Sequence, residues 1–408
     1  MLIIKQKEII KIIEQGLETS SVLFEISLKS SSQLSQEMVA FANTLGGLLI
    51  IGVADNGEVL GLTSKDIRKL NQWIGSASTE LIKPPISPLT DVININGKDV
   101  LVIEVLQGTN KPYYTNEGIS YIKKGSDKRI APPEEILRMF QASGKIYADE
   151  GIVSNTSAND IDEQIFKEFI YNKFFKRMMG DEISLKEFKK LGIDEALEKI
   201  GAHASFAQVL KNMAFSDGNN LTLAGLLLFG KNPQLFRPMF TLQCVNYVGN
   251  DIAGTNFRDS EPPYEGDLKT LFDNGMSFLK RNLRSVQVES NFNSLGELEI
   301  PLESLEELLV NSLIHRDYYI NSTVKVLMFD NRIEIVSPGK LPNTLTLENI
   351  MSGQSLSRNP ILHSNAQFLL PYRGLGSGIP RALDKYKNIA FQNNEQSEQF
   401  KVIIHRLV

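Results

Sequence analysis

The sequence predicts an α+β protein of several domains, with an α/β domain at each end and a helical connector between them. Three observations lead to this expectation. The chain has 408 residues, more than the roughly 100–200 that one domain usually contains. Hydrophobic residues make up 42% of it and charged residues 22%, as in ordinary globular proteins. Apolar runs of strand length alternate with segments of helical periodicity towards both ends.

The predicted domains span residues 1–148, 149–220 and 221–408. The first 15 residues mix lysine and glutamate with isoleucine, which is typical of an amphipathic helix and not of a signal peptide. A polar stretch at 149–162, rich in Ser, Asn, Asp and Gly, marks the first boundary. Helical periodicity over 160–215 then predicts the connector.

Strands and helices are predicted at both ends of the chain. The apolar runs 48–53 and 59–62 flank an Asp-Asn-Gly turn, which predicts a hairpin. Further strands are expected at 100–105 and 121–122, and a helix begins at Pro133. In the last domain we expect strands at 221–230, 239–248, 323–328, 332–336 and 400–408, and an apolar helix over 302–318.

Charge, cysteine content and hydrophobicity limit the partners and the cellular location that we expect for this protein. The net charge is −5, yet residues 1–145 hold 16 basic and 16 acidic side chains, so the deficit lies in the rest of the chain. This balance leaves room for a local basic strip on the first domain. Cys244 is the single cysteine and cannot form an internal disulfide. No apolar run approaches the length that spans a bilayer, so we expect a cytoplasmic protein without a membrane partner.

Two motifs near the C-terminus suit nucleotide chemistry. Glu307 and Asn311 lie four residues apart, which places them on one face of a helix. An amide oxygen suits Mg²⁺, and a neighbouring carboxylate can take a proton from water. The glycine-rich segment 373–380 runs into a predicted helix, where backbone N–H groups can approach phosphate. Each motif also occurs by chance, on solvated helices or in plain turns, and that alternative stays open.

In this order the two motifs resemble the GHKL ATPase fold, an α/β sandwich. Glu307 and Asn311 match its N box, and Gly374, Gly376 and Gly378 match its second glycine box. His315 and the segment 337–341 are similar to the branch found in RecG-like transcriptional regulators, and the resemblance covers about residues 160–408. It implies ATP and Mg²⁺ as cofactors, Glu307 as the catalytic base and Asn311 as the metal ligand. The implied nucleotide-binding residues are Asn311, His315, Ser337, Gly339, Gly374, Gly376, Ser377 and Gly378.

One position departs from that family. Its first glycine box has an Asp that accepts from the adenine amino group, and here Ser337 stands in its place, with Leu341 for the second glycine. A hydroxyl can accept the same hydrogen bond, but loss of the charge costs about 1–2 kcal/mol. We therefore expect weaker or less base-selective nucleotide binding.

The segment 41–57, FANTLGGLLIIGVADNG, resembles the Schlafen AlbA-type domain, and that resemblance covers residues 12–145. It implies binding to DNA or RNA and, in some relatives, a metal-dependent endoribonuclease. The candidate catalytic carboxylates are Glu18, Glu25 and Asp55. Six residues separate the two glutamates where the family has four, and the lysine that follows the second glutamate is missing. The alternative is that all three are ordinary strand-edge and turn residues.

A basic strip accompanies this motif. Lys123, Lys124, Lys128 and Arg129 fall within seven residues, near several tyrosines. Cations for phosphates and aromatic rings for bases suit nucleic acid, although an ordinary solvated loop has the same composition.

These inferences predict an ATP-controlled nucleic-acid-binding protein that forms a homo-oligomer, at least a dimer, since the resemblance implies two lobes around the target. Three alternatives remain. One is a Schlafen-type endonuclease of a bacterial antiviral defence system, with Mg²⁺ or Mn²⁺. Another is a transcriptional regulator, and the third is a degenerate ATPase that serves only as a scaffold. Whether the chain is an ATPase or a nuclease is left open at this point.

Overall fold

The computed structural model describes residues 2–180, 182–254, 256–286, 297–342 and 345–406. It is an α+β protein, as predicted. The chain divides into two compact units, a first unit over Met1–Ile146 and a second unit over Tyr147–Val408. No helix within the described ranges is long and apolar enough to span a membrane.

The first unit is built around a four-stranded sheet. Its helices are α1 Gln6–Gln15, α2 Ser31–Asn43, α3 Ser64–Ser76 and α4 Pro133–Ala142. Its strands are β1 Val22–Glu25, β2 Gly46–Ile51, β3 Ile82–Lys83, β4 Leu89–Ile95, β5 Lys98–Leu106, β6 Tyr114–Thr115, β7 Tyr121–Lys124 and β8 Asp127–Ile130. The main sheet has the order β1-β2-β5-β4, in which β1 and β2 run parallel and the other pairs antiparallel. β7 and β8 form a separate hairpin.

Both faces of this sheet are covered, which explains its continuous apolar strands. Leu49 and Ile51 of β2 pack in one cluster with residues of α2 and α3. Leu48 and Ile50 point the other way and pack with residues of α1. Successive side chains of a strand alternate between faces, so a strand that is buried on both sides must be apolar throughout.

For the predicted hairpin after β2, the turn is confirmed and the second strand is not. Gly57 has a φ of +84°, as the turn requires. Beyond it, Val59 forms only an isolated bridge with Val53. β2 instead pairs with the distant β5, because a strand buried on both faces gains more from central partners than from a short solvated arm.

The second unit contains eleven helices and eight strands among its described residues. The helices are α5 Glu163–Ile170, α6 Lys176–Met179, α7 Leu185–Phe188, α8 Ile193–Lys199, α9 Phe206–Asn212, α10 Leu223–Phe229, α11 Leu268–Asn282, α12 Leu302–Ile314, α13 Leu347–Met351, α14 Pro360–Asn365 and α15 Gly378–Lys385. The strands are β9 Leu242–Tyr247, β10 Phe257–Ser260, β11 Ser285–Val286, β12 Glu297–Leu298, β13 Val324–Met328, β14 Arg332–Pro338, β15 Ile389–Asn394 and β16 Gln399–His405. The six-stranded sheet has the order β10-β9-β13-β14-β16-β15 and is antiparallel except between β9 and β13.

The predicted strand at 221–230 is wrong, because this segment is helix α10. Thr222 caps the helix by accepting from the backbone N–H of Gly225, and every residue of α10 is buried. A short run that is apolar on all sides has no periodicity that separates a strand from a buried helix. The predicted strand at the C-terminus is confirmed as β16, and residues 407–408 lie outside the described residues.

Residues of the predicted connector share their core with the rest of the second unit. Phe166 and Phe169 of α5 belong to the same hydrophobic cluster as Leu309 of α12 and Val326 of β13. The rings of Phe166 and Phe169 both pack edge-on against Phe229 of α10. The division at residue 220 therefore stays a prediction, and the structure adds that both sides of it form one core.

Candidate functional site

A cleft in the second unit lies between α12, the end of β14 and the loop that leads into α15. It encloses about 1020 Å³, its open mouth included. All nine residues predicted for this part of the chain line it: Glu307, Asn311, His315, Ser337, Gly339, Gly374, Gly376, Ser377 and Gly378. Segments about 60 residues apart in sequence are thus brought to one surface.

The N-box side chains pack directly against the glycine-rich loop. A β-carbon placed on Gly378 would lie 2.6 Å from Oε2 of Glu307 and 3.0 Å from Nδ2 of Asn311. The site therefore needs glycine here, because any side chain would displace the carboxylate and the amide. Gly376 has a φ of +72°, and its missing β-carbon would collide with the carbonyl oxygen of Gly353. The glycines of this loop therefore allow close contacts with neighbouring segments, in addition to the backbone conformations that they permit.

Arg381 is a functional candidate that the sequence analysis did not identify. Its guanidinium Nη2 forms an ion pair with Oε1 of Glu307. Burial raises the pKa of Glu307, and the nearby charges of Arg381 and Arg373 oppose that rise. Arg381 follows Gly378 by three residues, one helical turn, and that spacing could have pointed to it.

The other end of the cleft is apolar and ends in a hydroxyl. Ile335, Ile350 and Val402 line it together with Phe391. Ser337 is 5% exposed, and its hydroxyl donates to the carbonyl oxygen of Ser312 at 2.9 Å. Because the proton is used in that bond, the oxygen keeps lone pairs to accept from a donor in the cleft.

His315 lies in the wall of the cleft, where it is held by aromatic neighbours. Its Nε2 is 2.8 Å from the hydroxyl of Tyr372, and the rings of His363 and Tyr372 pack edge-on around it. Burial, with a smaller contribution from His363 and Arg358, lowers the pKa of His315 to about 3. The imidazole is therefore neutral at physiological pH and can position Tyr372 but cannot supply a positive charge.

The three candidate carboxylates of the first unit, Glu18, Glu25 and Asp55, lie near one another, but the described residues do not arrange them as a metal site. Burial raises the pKa of Glu25, and repulsion from Glu37, Glu18 and Asp55 adds to the rise. Glu18 accepts from the backbone N–H of Phe24 at 2.8 Å. Across the described ranges no group of three or more His, Cys, Asp or Glu side chains is arranged to hold a metal ion. Glu37 is an additional member that sequence reasoning missed.

The basic strip separates into internal and external residues. Lys123 is 5% exposed and its ammonium group lies 3.3 Å from Oε2 of Glu37, so it is not on the surface as predicted. Lys128 is partly buried and pairs with Oε1 of Glu37 at 3.0 Å. Lys124 and Arg129 are exposed on the β7–β8 hairpin, and Arg129 pairs with Asp127 at 3.1 Å. A buried acid next to the hairpin explains why two of the four cations turn inward.

Asn43 of the 41–57 motif ties together segments far apart in the sequence. Its Nδ2 donates to the carbonyl oxygens of Tyr113 and Tyr121, both at 2.9 Å, and to the Ser120 hydroxyl at 3.0 Å. Its Oδ1 accepts from the backbone N–H of Tyr113 at 2.8 Å. These hydrogen bonds anchor β7 and the segment before it to α2.

Comparison with known proteins gives two matching families. Residues 18–132 match the model described as Schlafen, AlbA_2. Residues 321–404 match the model described as Putative ATP-dependent DNA helicase recG C-terminal. The second match includes Ser337 and the glycine-rich loop and begins after Glu307 and Asn311, so the place of those two residues rests on the cleft itself.

Two solved structures are similar to the chain. The DIP2311 protein from Corynebacterium diphtheriae is 19% identical, with a TM-score of 0.47, and the match covers 95% of this chain and 75% of that one. The N-terminal domain of the Putative ATP-dependent DNA Helicase RecG-related Protein from Nitrosomonas europaea is 21% identical, with a TM-score of 0.23. That match covers 31% of this chain and 92% of the domain.

No curated protein matches the chain significantly. The two family matches agree with the motifs and with the cleft. The chain thus joins a segment that matches the Schlafen, AlbA_2 model in its first unit to a segment that matches the recG C-terminal model in its second.

Proposed function

We propose that the second unit binds ATP with Mg²⁺ in this cleft and that nucleotide binding controls how the first unit engages nucleic acid. The observation that carries the proposal is the close packing of Glu307 and Asn311 against Gly378 at one end of a cleft whose other end is apolar. A flat aromatic base suits the apolar end, and a charged phosphate chain suits the glycine loop and its arginines.

The residues present fit both halves of ATP·Mg²⁺. The Ser337 oxygen is free to accept from an exocyclic amino group, because its proton is donated to Ser312. Asn311 would hold Mg²⁺ through its amide oxygen, and phosphate and water would supply the remaining ligands, as this ion prefers. The metal neutralises phosphate charge when bound. Glu307, 13% exposed and next to the loop, is placed to accept a proton from an attacking water.

Thermal unfolding with and without nucleotide tests this part of the proposal. A ligand that binds only the folded state at 100 times its Kd stabilises it by about 2.7 kcal/mol, so ATP·Mg²⁺ should raise the Tm of the second unit. Asn311→Ala should abolish most of the rise. Asn232→Ala, outside the lining of the cleft, is the control and should keep it. Equal Tm values with and without ATP·Mg²⁺ in the wild type would leave the second unit a scaffold only.

For the first unit we propose that Lys124 and Arg129 contact phosphates of DNA or RNA. Both are exposed on one hairpin, and each neutralised phosphate adds about 0.9 to the salt dependence of binding to a duplex. The double variant Lys124→Ala with Arg129→Ala should weaken binding and reduce that salt dependence by about 2. Lys65→Ala with Arg68→Ala removes the same charge from the exposed face of α3 and should have little effect.

Control by nucleotide and the oligomeric state are tested in the same system. Binding of a fluorescent single-stranded RNA, a single-stranded DNA and a duplex is measured with and without a non-hydrolysable ATP analogue. The analogue should change the affinity for at least one of them, and Asn311→Ala should remove the change. We propose at least a dimer, so that two copies of the first unit surround the target. A monodisperse monomer with undiminished binding would contradict the dimer.

A second candidate is a metal-dependent nuclease, and the raised pKa of Glu25 favours it. Repulsion of the Glu25 carboxylate by Glu37, Glu18 and Asp55, which adds to the effect of burial, indicates negative charge around Glu25, which a divalent ion would relieve. The test is cleavage of RNA or DNA with Mg²⁺ or Mn²⁺, lost in Glu25→Ala. Intact substrate under every metal and nucleotide condition would remove this candidate.

A further inference from the structure

At the glycine-loop end of the cleft lies an ion pair in which the arginine uses only some of its hydrogen-bond donors. Arg381, on α15, pairs through Nη2 with Oε1 of Glu307 on α12. Its Nε is buried and has no hydrogen-bond partner among the residues that the structure describes. A buried donor without a partner is uncommon in folded proteins. One face of this guanidinium is therefore engaged with Glu307. Arg381 lines the cleft and its side chain is 32% exposed, so a ligand in the cleft can reach the guanidinium.

We propose that Arg381 is the contact for the terminal phosphate and makes the site selective for nucleoside triphosphates over diphosphates. This inference rests on the proposed nucleotide site. Without nucleotide, Arg381 is held by Glu307. When a triphosphate enters, the guanidinium exchanges the carboxylate for the terminal phosphate, and Glu307 is released from its partner.

The position of Glu307 assigns Arg381 to the terminal phosphate and not to an inner one. A carboxylate that accepts the proton of an attacking water must lie next to the terminal phosphorus. Arg381 forms an ion pair with that carboxylate, so its guanidinium also lies next to the position of the terminal phosphate. A guanidinium offers several donors in a planar fork that suits phosphate oxygens, and a phosphate group carries more negative charge than one carboxylate. The exchange is therefore favourable only when the third phosphate is present.

Helix α15 is fixed by contacts other than this ion pair, so the exchange leaves its packing intact. The Ser304 hydroxyl of α12 donates to the carbonyl oxygen of Ala382 at 3.0 Å, and Ala382 is 1% exposed. Variants of Arg381 should consequently fold. This anchor separates the proposed role from a purely structural one, in which loss of Arg381 would loosen α15.

Calorimetric titration of the full chain with ADP·Mg²⁺ and with a non-hydrolysable ATP analogue tests the proposal. Arg381→Gln should lower the affinity for the analogue about tenfold or more, as loss of a charge-assisted contact does, and should leave the ADP affinity nearly unchanged. Arg381→Lys should restore part of the loss. Glu307→Gln frees Arg381 from its partner and should raise the affinity for the analogue. Lys385→Gln removes one positive charge from the exposed side of the same helix and should change neither affinity.

Three results decide the matter. If Arg381→Gln lowers the affinities for ADP and for the analogue equally, the arginine is structural and the inference is overturned. The same holds if the variant lowers the free energy of unfolding of the free protein by as much as it lowers the free energy of binding. If the wild type does not distinguish the analogue from ADP, the inference is also overturned, although the nucleotide site stands. If the wild type binds neither, the proposed function itself fails.

Discussion

Replacing Asn43 with alanine removes an amide from the interior of the first unit. Its two N–H groups serve Tyr113, Ser120 and Tyr121, and its oxygen accepts from the backbone N–H of Tyr113. The backbone N–H of Tyr113 and the carbonyl of Tyr121 each lose their Asn43 partner, whereas the Tyr113 carbonyl still accepts from Ser120 at 3.0 Å. Each bond contributes roughly 0.5–1.5 kcal/mol net, and buried groups left without a partner cost more. We expect a loss of about 3 kcal/mol in the free energy of unfolding of this unit.

The assay uses the only tryptophan of the chain, Trp73, which lies on α3 of the first unit. Its fluorescence therefore reports on the first unit alone, while circular dichroism reports on both. With an m-value of about 2 kcal/mol per molar urea, the tryptophan midpoint should fall by about 1.5 M. Asn43→Asp keeps the acceptor for Tyr113 but faces two carbonyls without an amide donor, so it should be at least as damaging. Asn116→Ala, at an exposed position, is the control.

A midpoint shift below about 0.3 M for Asn43→Ala, the range of a surface substitution, would refute this reasoning. It would mean that water or a rearranged loop replaces the asparagine without cost. A shift of the same size in Asn116→Ala would also refute it, because the effect would then not depend on the buried network.

The remaining predictions concern the cleft, the pH dependence and the basic strip. Gly378→Ala should push the flexible carboxylate of Glu307 aside with little effect on the free energy of unfolding, and it should abolish the Tm rise with ATP·Mg²⁺. Gly192→Ala, whose added β-carbon would meet no described atom within 4 Å, should keep that rise. Burial raises the pKa of the wholly buried Asp149 from 3.8 to about 6, so the folded second unit holds this proton more tightly than the unfolded chain. Its contribution to stability is present below pH 4 and is lost as the pH rises to about 6, by about 3 kcal/mol. Asp149→Asn should gain Tm relative to the wild type over that window, and a constant difference would contradict this. Lys123→Ala should destabilise the first unit by about 1–3 kcal/mol, because Glu37 loses one buried donor and keeps Lys128, whereas Lys124→Ala should change its stability by less than about 0.5 kcal/mol. Urea titrations followed by Trp73 fluorescence distinguish the two.

Local sequence patterns were enough to predict the α+β class and most of the elements that carry periodicity or caps. Glu307 and Asn311 were placed correctly on one helix, because a spacing of four residues has one meaning on a helix. The glycines of 374–378 predicted a loop that approaches phosphate, and this stays a prediction; the structure adds that Gly378 packs against Glu307 and Asn311. Local sequence patterns suffice to predict features, such as residue spacing on a helix, that depend only on neighbouring residues.

Other features depend on which segments meet, and no local pattern records that. The segment 221–230 is apolar on every side, and only its burial among α5 and α11 residues makes it a helix. Lys123 and Lys124 are neighbours of one type, yet Glu37, 86 residues before Lys123, draws only Lys123 inward. Tertiary structure likewise brought Arg381 onto Glu307 and Asn43 onto Tyr113 and Tyr121. Burial and ion pairing are set by long-range contacts, and these decide which of the candidate residues face a ligand.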